Sequence, residues 1–296
     1  MNQENVCFFL PGIGDNYQEK MRIVMERHGD YLTSLANKVK SAFGIEIMPY
    51  LLNNQNADDL LTVWSSNYVC DYLTYQVMRE EGKVLPKVLL GYSMGLITCA
   101  ACSQVFSFED GITILDEIIK YRSIYEDESM VIIIGLKKET ILSAIRQANM
   151  LEKVFIACEN NELCYVLSGA KKDNLFIEKE LINRGSIKTK HMETHFAFHS
   201  PYMMQGIERL NEALARISFK ECVIPIFSPI KKCEISIGDN VREELIKNMY
   251  STIKWRESVE NIAKEEINMF FELGFNKGLT KMSKSICPEK IFTSFV

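Results

Sequence analysis

The sequence predicts an α/β protein: a mainly parallel sheet with helices on its faces, interrupted by a smaller unit of strands and helices. Three observations carry this. Short branched or aromatic apolar runs alternate with stretches of helical period; the pattern changes character near residue 127 and returns after His199. The 296 residues are 47% hydrophobic and 25% charged, enough apolar surface for one large core.

Val6-Cys-Phe-Phe-Leu10 is the first strand, ended by Pro11-Gly-Ile-Gly14. From Gln18 to Phe43, Met21, Val24, Met25, Leu32, Leu35 and Val39 recur at helical spacing, as two helices broken near Gly29. Asp58 to Glu81 is an amphipathic helix, Val84 to Leu90 a buried strand and Met94 to Val105 a helix. Phe108 to Tyr125 follows as a further helix, with Ser107 and Asp110 as its N-terminal signal.

Beyond residue 127 the order becomes strand Met130–Gly135, helix Lys138–Leu151, strands Val154–Cys158 and Cys164–Gly169, helix Asp173–Arg184 and strand Ile187–Glu193. This β-α-β-β-α-β order is the ferredoxin-like signature. It predicts a small domain over 128–197, inserted into a larger one made of 1–127 and 198–296. The larger domain resumes with a strand at Val223–Phe227, helices at Val241–Tyr250 and Trp255–Lys264, a strand at Met269–Leu273 and a terminal helix from Gly278.

Bulk properties exclude several function classes. A net charge of −5 with scattered basic residues gives no electrostatic footprint for nucleic acid. No apolar run approaches the ~18 residues a bilayer span needs. The start, MNQENVCFFLPG, lacks a basic n-region and a long apolar segment, and the nine cysteines show no framework spacing. The expectation is a reduced, cytoplasmic monomer. Cys99-Ala-Ala-Cys102 has redox-pair spacing, but it lies alone in a small-residue helix and is expected to be buried packing.

The chemistry centres on Gly91-Tyr-Ser-Met-Gly95, between a predicted strand and a predicted helix. Flanking glycines allow a sharp turn that projects Ser93 at a helix N-terminus, where free N–H groups can hold an oxyanion. A serine hydroxyl needs a base. Of the histidines, His28 lies in a charged stretch and is expected to be solvated. His191, His195 and His199 recur every four residues in HMETHFAFHSPYM, but Thr194, Phe196, Phe198 and Pro201 oppose a helix there. In extended chain four residues span ~13 Å, too far for a shared ion, so no metal is expected. His199, before Ser200-Pro201 at a helix start, is the candidate base; His191 and His195 are read as surface or hinge residues.

Leu10-Pro-Gly-Ile-Gly14, Gly91-Tyr-Ser-Met-Gly95, Phe196-Ala-Phe-His-Ser-Pro-Tyr-Met203, Asn248-Met-Tyr-Ser-Thr-Ile-Lys-Trp-Arg-Glu-Ser-Val259 and Phe271-Glu-Leu-Gly-Phe-Asn-Lys-Gly-Leu-Thr280 occur in this order. Together they make the sequence resemble the malonyl-CoA:acyl carrier protein transacylase family, including stand-alone polyketide acyltransferases. The resemblance implies an α/β-hydrolase-like large domain and an acyltransferase with a Ser93–His199 dyad and an acyl-serine intermediate. It further implies that the N–H groups of Ile13 and Met94 hold the oxyanion and that the Asn248 carbonyl orients His199. No tightly bound cofactor is implied; the substrates would be acyl-CoA or phosphopantetheine thioesters, and the partner an acyl carrier protein. Tyr92, Ile118, Arg122 and Phe198 are the candidate substrate-binding residues.

The departures bear on substrate. Malonyl-using members place an arginine about 25 positions past the serine, where Ile118 stands here, and Arg122 lies one turn further, ~6 Å along the helix. Pro229 replaces the usual asparagine and Tyr92 the common histidine. These favour an acyl group without a free carboxylate over malonyl. Water in place of a thiol acceptor would make the same acyl-enzyme a thioester hydrolase, and a silent relative would only dock carrier proteins. An esterase with an acid third member fits less well, because the insertion occupies that part of the chain.

Overall fold

The computed structural model describes residues 3–12, 18–53, 59–82, 84–122, 127–192, 194–275 and 277–295. The chain begins with β1 (Gln3–Leu10), followed by α1 (Gln18–Phe43), α2 (Ile47–Asn53), α3 (Leu60–Glu80), β2 (Leu85–Gly91), α4 (Gly95–Cys102) and α5 (Phe108–Arg122). It continues through β3 (Glu128–Ile134), α6 (Lys138–Gln147), β4 (Val154–Asn161), β5 (Cys164–Ala170), α7 (Lys171–Asn183) and β6 (Lys188–His191). The last part holds a 3-10 turn (Pro201–Met204), α8 (Ile207–Leu214), β7 (Ile226–Ser228), β8 (Cys233–Ile235), α9 (Gly238–Tyr250), α10 (Trp255–Lys264), β9 (Met269–Glu272), α11 (Gly278–Ser283) and β10 (Ile291–Ser294).

One sheet has the order β10-β9-β1-β2-β7-β8. All its pairings are parallel except β7 with β8. β1 is central, and its adjacent phenylalanines point to opposite faces, as strand geometry requires. Phe9 packs against Trp255 and Phe270, while Phe8 packs against Tyr75 and Phe271. Both rings are fully buried, so helices cover both faces, which explains the unbroken apolar run. The second sheet is antiparallel, in the order β4-β5-β3-β6. It has its own small core, in which Val131, Ile133, Ile141, Leu167 and Ile177 are buried.

Several local expectations change. The break in α1 falls at His28, where φ is −135° and ψ 25°. His28 is not solvated: its side chain is 12% exposed, with Nδ1 3.2 Å from Glu81. α2 has no counterpart among the predicted elements; its Pro49 lies in the first turn, where no N–H is required. The chain returns to the sheet as β10 after α11, too short a strand to carry a periodic signal. Ser107 and Asp110 do form the N-terminal cap of α5. The Ser107 hydroxyl accepts from the Asp110 N–H (3.1 Å), and the Asp110 carboxylate accepts from the Ser107 N–H (3.0 Å). Among the described residues no helix is long and apolar enough to cross a membrane.

Candidate active site

The Gly91-Tyr-Ser-Met-Gly95 turn closes only because its ends are glycine. A Cβ on Gly95 would stand 2.2 Å from the Leu10 carbonyl oxygen, and one on Gly91 2.5 Å from the Leu96 nitrogen. The end of β1 thus packs directly against the start of α4. Ser93 is pressed into the left-handed region (φ 55°), a conformation costing of order 1 kcal/mol or more for a residue with a Cβ. The Gly95 N–H donates to the Tyr92 carbonyl (2.9 Å) and the Leu96 N–H to the Ser93 carbonyl (3.2 Å). The Met94 N–H takes no partner among the described residues, as an oxyanion donor requires.

His199 is brought to this turn from 106 positions away. Its Nε2 lies 2.7 Å from Ser93 Oγ. On the other side of the ring, Nδ1 lies 2.6 Å from the Asn248 carbonyl oxygen. A carbonyl can only accept, so Nδ1 carries the proton and Nε2 presents its lone pair to the serine hydroxyl. His199 also adopts a positive φ of 60°, held by its own N–H donating to the Met249 carbonyl at 2.7 Å. The imidazole is 2% exposed. Burial lowers its pKa to about 4, although hydrogen bonds to the Asn248 and Ser251 backbone act the other way. At neutral pH it is an uncharged base.

Two supports had no signal in the sequence. The Asn248 amide Nδ2 donates to the Ser93 carbonyl at 3.1 Å, so the same residue braces Ser93 and, through its carbonyl, His199. Glu128, where the chain enters the antiparallel unit, accepts from the Ala197 N–H, where it leaves, at 2.8 Å. Both depend on contacts between distant segments.

The remaining predicted residues separate. Phe198 is buried in an aromatic cluster, its ring 6.0 Å from Trp64, 5.4 Å from Phe196 and 6.1 Å from the His199 imidazole. Ile118 is 1% exposed on α5. Arg122 ends that helix, and only its backbone is described. Ile13 lies outside the described residues. The Tyr92 ring packs edge-on against Trp255 at 5.4 Å, and its hydroxyl donates to Asn160 Oδ1 at 2.8 Å. The Pro229 carbonyl accepts from the Lys254 N–H at 3.1 Å.

His191 and His195 are exposed, and His191 pairs with Glu178 at 2.8 Å. Among the described residues no group of three or more His, Cys, Asp or Glu could hold a metal. Cys99 and Cys102 are buried, and burial pushes both thiols well above their ordinary pKa, as suits packing residues. The 271–280 motif also acquires a reason: the buried Glu272 carboxylate accepts from the Leu279 (3.0 Å) and Thr280 (2.6 Å) N–H groups, capping α11. A cavity of about 610 Å³ opens between the two units, with His199, Pro201 and Tyr250 on one wall and Lys138, Phe155 and Glu159 on the other.

No family model matches the chain. It is 27% identical over 251 residues to the malonyl CoA-acyl carrier protein transacylase of Buchnera aphidicola subsp. Baizongia pistaciae, covering 82% of this chain and 77% of that one. Its fold matches the crystal structure of malonyl-CoA:acyl carrier protein transacylase from Xanthomonas oryzae pv. oryzae with a TM-score of 0.91, at 18% identity over 99% of this chain and 95% of that one. It also matches a malonyl-transacylase in complex with its type II polyketide acyl-carrier protein, with a TM-score of 0.89, at 17% identity over 98% and 95% of the two chains. In sequence and in fold alike, the chain is similar to proteins named malonyl-CoA:acyl carrier protein transacylase, and those relatives are acyltransferase enzymes.

Proposed function

We propose that the protein is a Ser–His acyltransferase that moves an acyl group between phosphopantetheine thioesters in fatty acid or polyketide synthesis. The observation that carries this is the 2.7 Å contact between Ser93 Oγ and the buried Nε2 of His199, with Nδ1 fixed on a carbonyl. Ser93 Oγ attacks the thioester carbonyl as its proton passes to His199 Nε2. The negative oxygen is met by the Met94 N–H and, by the resemblance, by that of Ile13. Collapse expels the thiol, which takes the proton from His199. His199 then removes the proton of an incoming carrier thiol, which attacks the acyl-serine and releases Ser93.

The two units are read as an α/β-hydrolase-like catalytic domain (1–127 and 198–296) and a ferredoxin-like insertion (128–197). The partner is an acyl carrier protein, acyl-CoA the donor, and the protein acts as a monomer with no tightly bound cofactor. A relative's complex with its acyl-carrier protein supports the choice of partner.

For the substrate, the supporting observation is Ile118. Where the resemblance puts a cation for the malonyl carboxylate, a buried aliphatic side chain stands. Desolvating a carboxylate there without a partner would cost several kcal/mol. The proposed acyl group therefore lacks a free carboxylate, and its surroundings include Phe198, Tyr92 and Ile118. The malonyl reading, favoured by the names of the relatives, needs Arg122 to reach back one turn.

Intact-mass measurement after incubation with malonyl-CoA and with butyryl-CoA tests both parts. The expected result is a butyryl adduct that Ser93→Ala abolishes and that moves to a holo acyl carrier protein. Label lost to water at the same rate without an acceptor would make the protein a hydrolase, and absence of any adduct would make it a docking relative. A malonyl adduct lost in Arg122→Ala would overturn the uncharged substrate.

A further inference from the structure

The antiparallel unit meets the large unit along one strand, β4, and does so beside both members of the dyad. At one end, Asn160 accepts the Tyr92 hydroxyl at 2.8 Å, and Tyr92 is bonded in the chain to Ser93. Asn160 is buried, and its amide nitrogen turns to Cys164 Sγ at 3.6 Å, leaving Oδ1 to the tyrosine. Over the residues just before Asn160, β4 is an edge strand of its sheet, yet its edge is not open. The Glu159 N–H donates to the Ile253 carbonyl (2.8 Å), the Ile253 N–H to the Ala157 carbonyl (2.9 Å), and Thr252 Oγ1 to the Ile156 carbonyl (2.8 Å). Thr252 and Ile253 come just after Ser251, the C-cap of α9, the helix whose Asn248 carbonyl holds His199.

These contacts close a ring. It runs from Ser93 through Tyr92 and Asn160 into β4, along the strand to Ile253, back through the end of α9 to Asn248, and by His199 to Ser93 again. Edge strands are normally covered or charged to prevent stray pairing; here the cover is the segment that carries the support of the base. We propose that β4 is a splint that sets the Ser93–His199 spacing, and that Tyr92 and Asn160 are positioning residues acting through it. The Tyr92 hydroxyl is thereby assigned to holding the nucleophile turn and not to touching the acyl group.

Two features make Tyr92 suited to this. Its ring is wedged against Trp255, whose indole N–H donates to Ser283 Oγ at 2.9 Å, so the side chain has a firm backing. The turn it adjoins holds Ser93 in a left-handed conformation, which persists only where the surroundings over-determine it. A small rotation of this turn would lengthen a 2.7 Å hydrogen bond on which proton transfer depends.

The inference rests on the Ser–His reading, and the experiment separates the two. A fluorophosphonate probe reports nucleophile activation without any acyl substrate: Ser93 Oγ bonds to phosphorus, fluoride leaves, and the hydroxyl proton passes to His199. Labelling of the wild type, lost in Ser93→Ala, tests the dyad. The maximal labelling rate and the probe concentration giving half of it are then measured for Tyr92→Phe, Asn160→Ala, their double variant and Thr252→Val.

The expected result is a maximal rate lowered roughly three- to tenfold in each, as one lost hydrogen bond allows, with half-saturation unchanged. The double variant should be no slower than the worse single one, because both remove the same bond. Tyr92→Phe keeps the ring and its packing, and Thr252→Val keeps shape, so a variant that fails to fold does not remove the test. If the wild type labels and the folded Tyr92→Phe and Thr252→Val match it within twofold, the splint is overturned while the dyad stands. If the wild type does not label, the dyad reading falls and the splint with it. Additive losses in the double variant would overturn the shared role of Tyr92 and Asn160.

Discussion

Ser93 and His199 both sit at left-handed backbone, with φ of 55° and 60°, but the contacts that hold them differ in reach. The serine turn is shaped mainly by its immediate neighbours and one adjoining strand end, Gly91 against Leu96 and Gly95 against Leu10 and Pro11, with the Asn248 amide as a distant brace on the Ser93 carbonyl. The histidine is held by groups about 50 positions further on, the carbonyls of Asn248 and Met249, and its approach is fixed by Glu128 on Ala197. On the nucleophile side the constraint is the absence of side chains, on the base side the presence of particular carbonyls. Substitution should therefore damage the two sides in different ways: steric at the turn, and through distant hydrogen bonds at the base.

The largest expected effect is on chemistry. Ser93→Ala and His199→Ala should each lower acyl-adduct formation by roughly 10³-fold or more, Ser93→Ala with little change in Tm. Next comes Gly95→Ala, because its new Cβ would meet backbone oxygens that cannot step aside. A loss of about 3 kcal/mol in urea unfolding is expected, and a wild-type midpoint would contradict the steric account.

Proton linkage at His199 ranks with it. The folded-state pKa is about 4 against an ordinary 6.5, so between these values the unfolded chain binds the extra proton. Stability should then rise with pH across that window, by up to about 3 kcal/mol in total. Above about pH 6.5 this contribution is complete; as pH falls to about 4 it is lost. In His199→Asn the pH dependence of unfolding should flatten by that amount. The acylation rate should be level above about pH 5 and fall tenfold per unit below about 4, since only neutral imidazole accepts the serine proton.

Smaller effects sharpen the comparison. Asn248→Ala keeps the carbonyl on His199 and loses only the brace on Ser93, so a three- to tenfold slower acylation is expected with an unchanged pH profile. A shifted profile would mean that the side chain, and not the carbonyl, tunes the base. Glu128→Ala leaves the buried Ala197 N–H unpartnered and should cost about 1–2 kcal/mol in denaturant unfolding, with acylation slowed less than in Asn248→Ala because Glu128 acts on the approach to His199 and not on the imidazole.

The nucleophile turn was legible because its demands fall on residue types within five positions. The alternation of runs likewise revealed β1, β2, β7 and β9 of the central sheet, though not β8 or β10, and the β-α-β-β-α-β order of the second. Boundaries and short elements were not legible. β10 has four residues, and α2 carries a proline whose harmlessness depends on its place in the first turn. His199 could be chosen over His191 and His195 from the Ser-Pro that follows it, although Pro201 opens a 3-10 turn where an α-helix was expected. The Asn248 carbonyl came only with the resemblance, since any residue there supplies a carbonyl. Tyr92 is singled out in the sequence because it stands in place of the usual histidine; that its hydroxyl donates to Asn160, 68 positions on, could not be read there.

By itself the sequence determined where the chain turns sharply enough to expose a serine, which stretches are buried, and where a second sheet interrupts the first. These follow from side-chain size and apolar spacing, which act over a few residues. Only the tertiary structure decided which imidazole nitrogen faces Ser93, that the ring is buried and therefore neutral, and that β4 lies across the supports of both. Burial and hydrogen-bond partners belong to surfaces assembled from segments 49 to 106 residues apart, and no local pattern encodes where those surfaces meet.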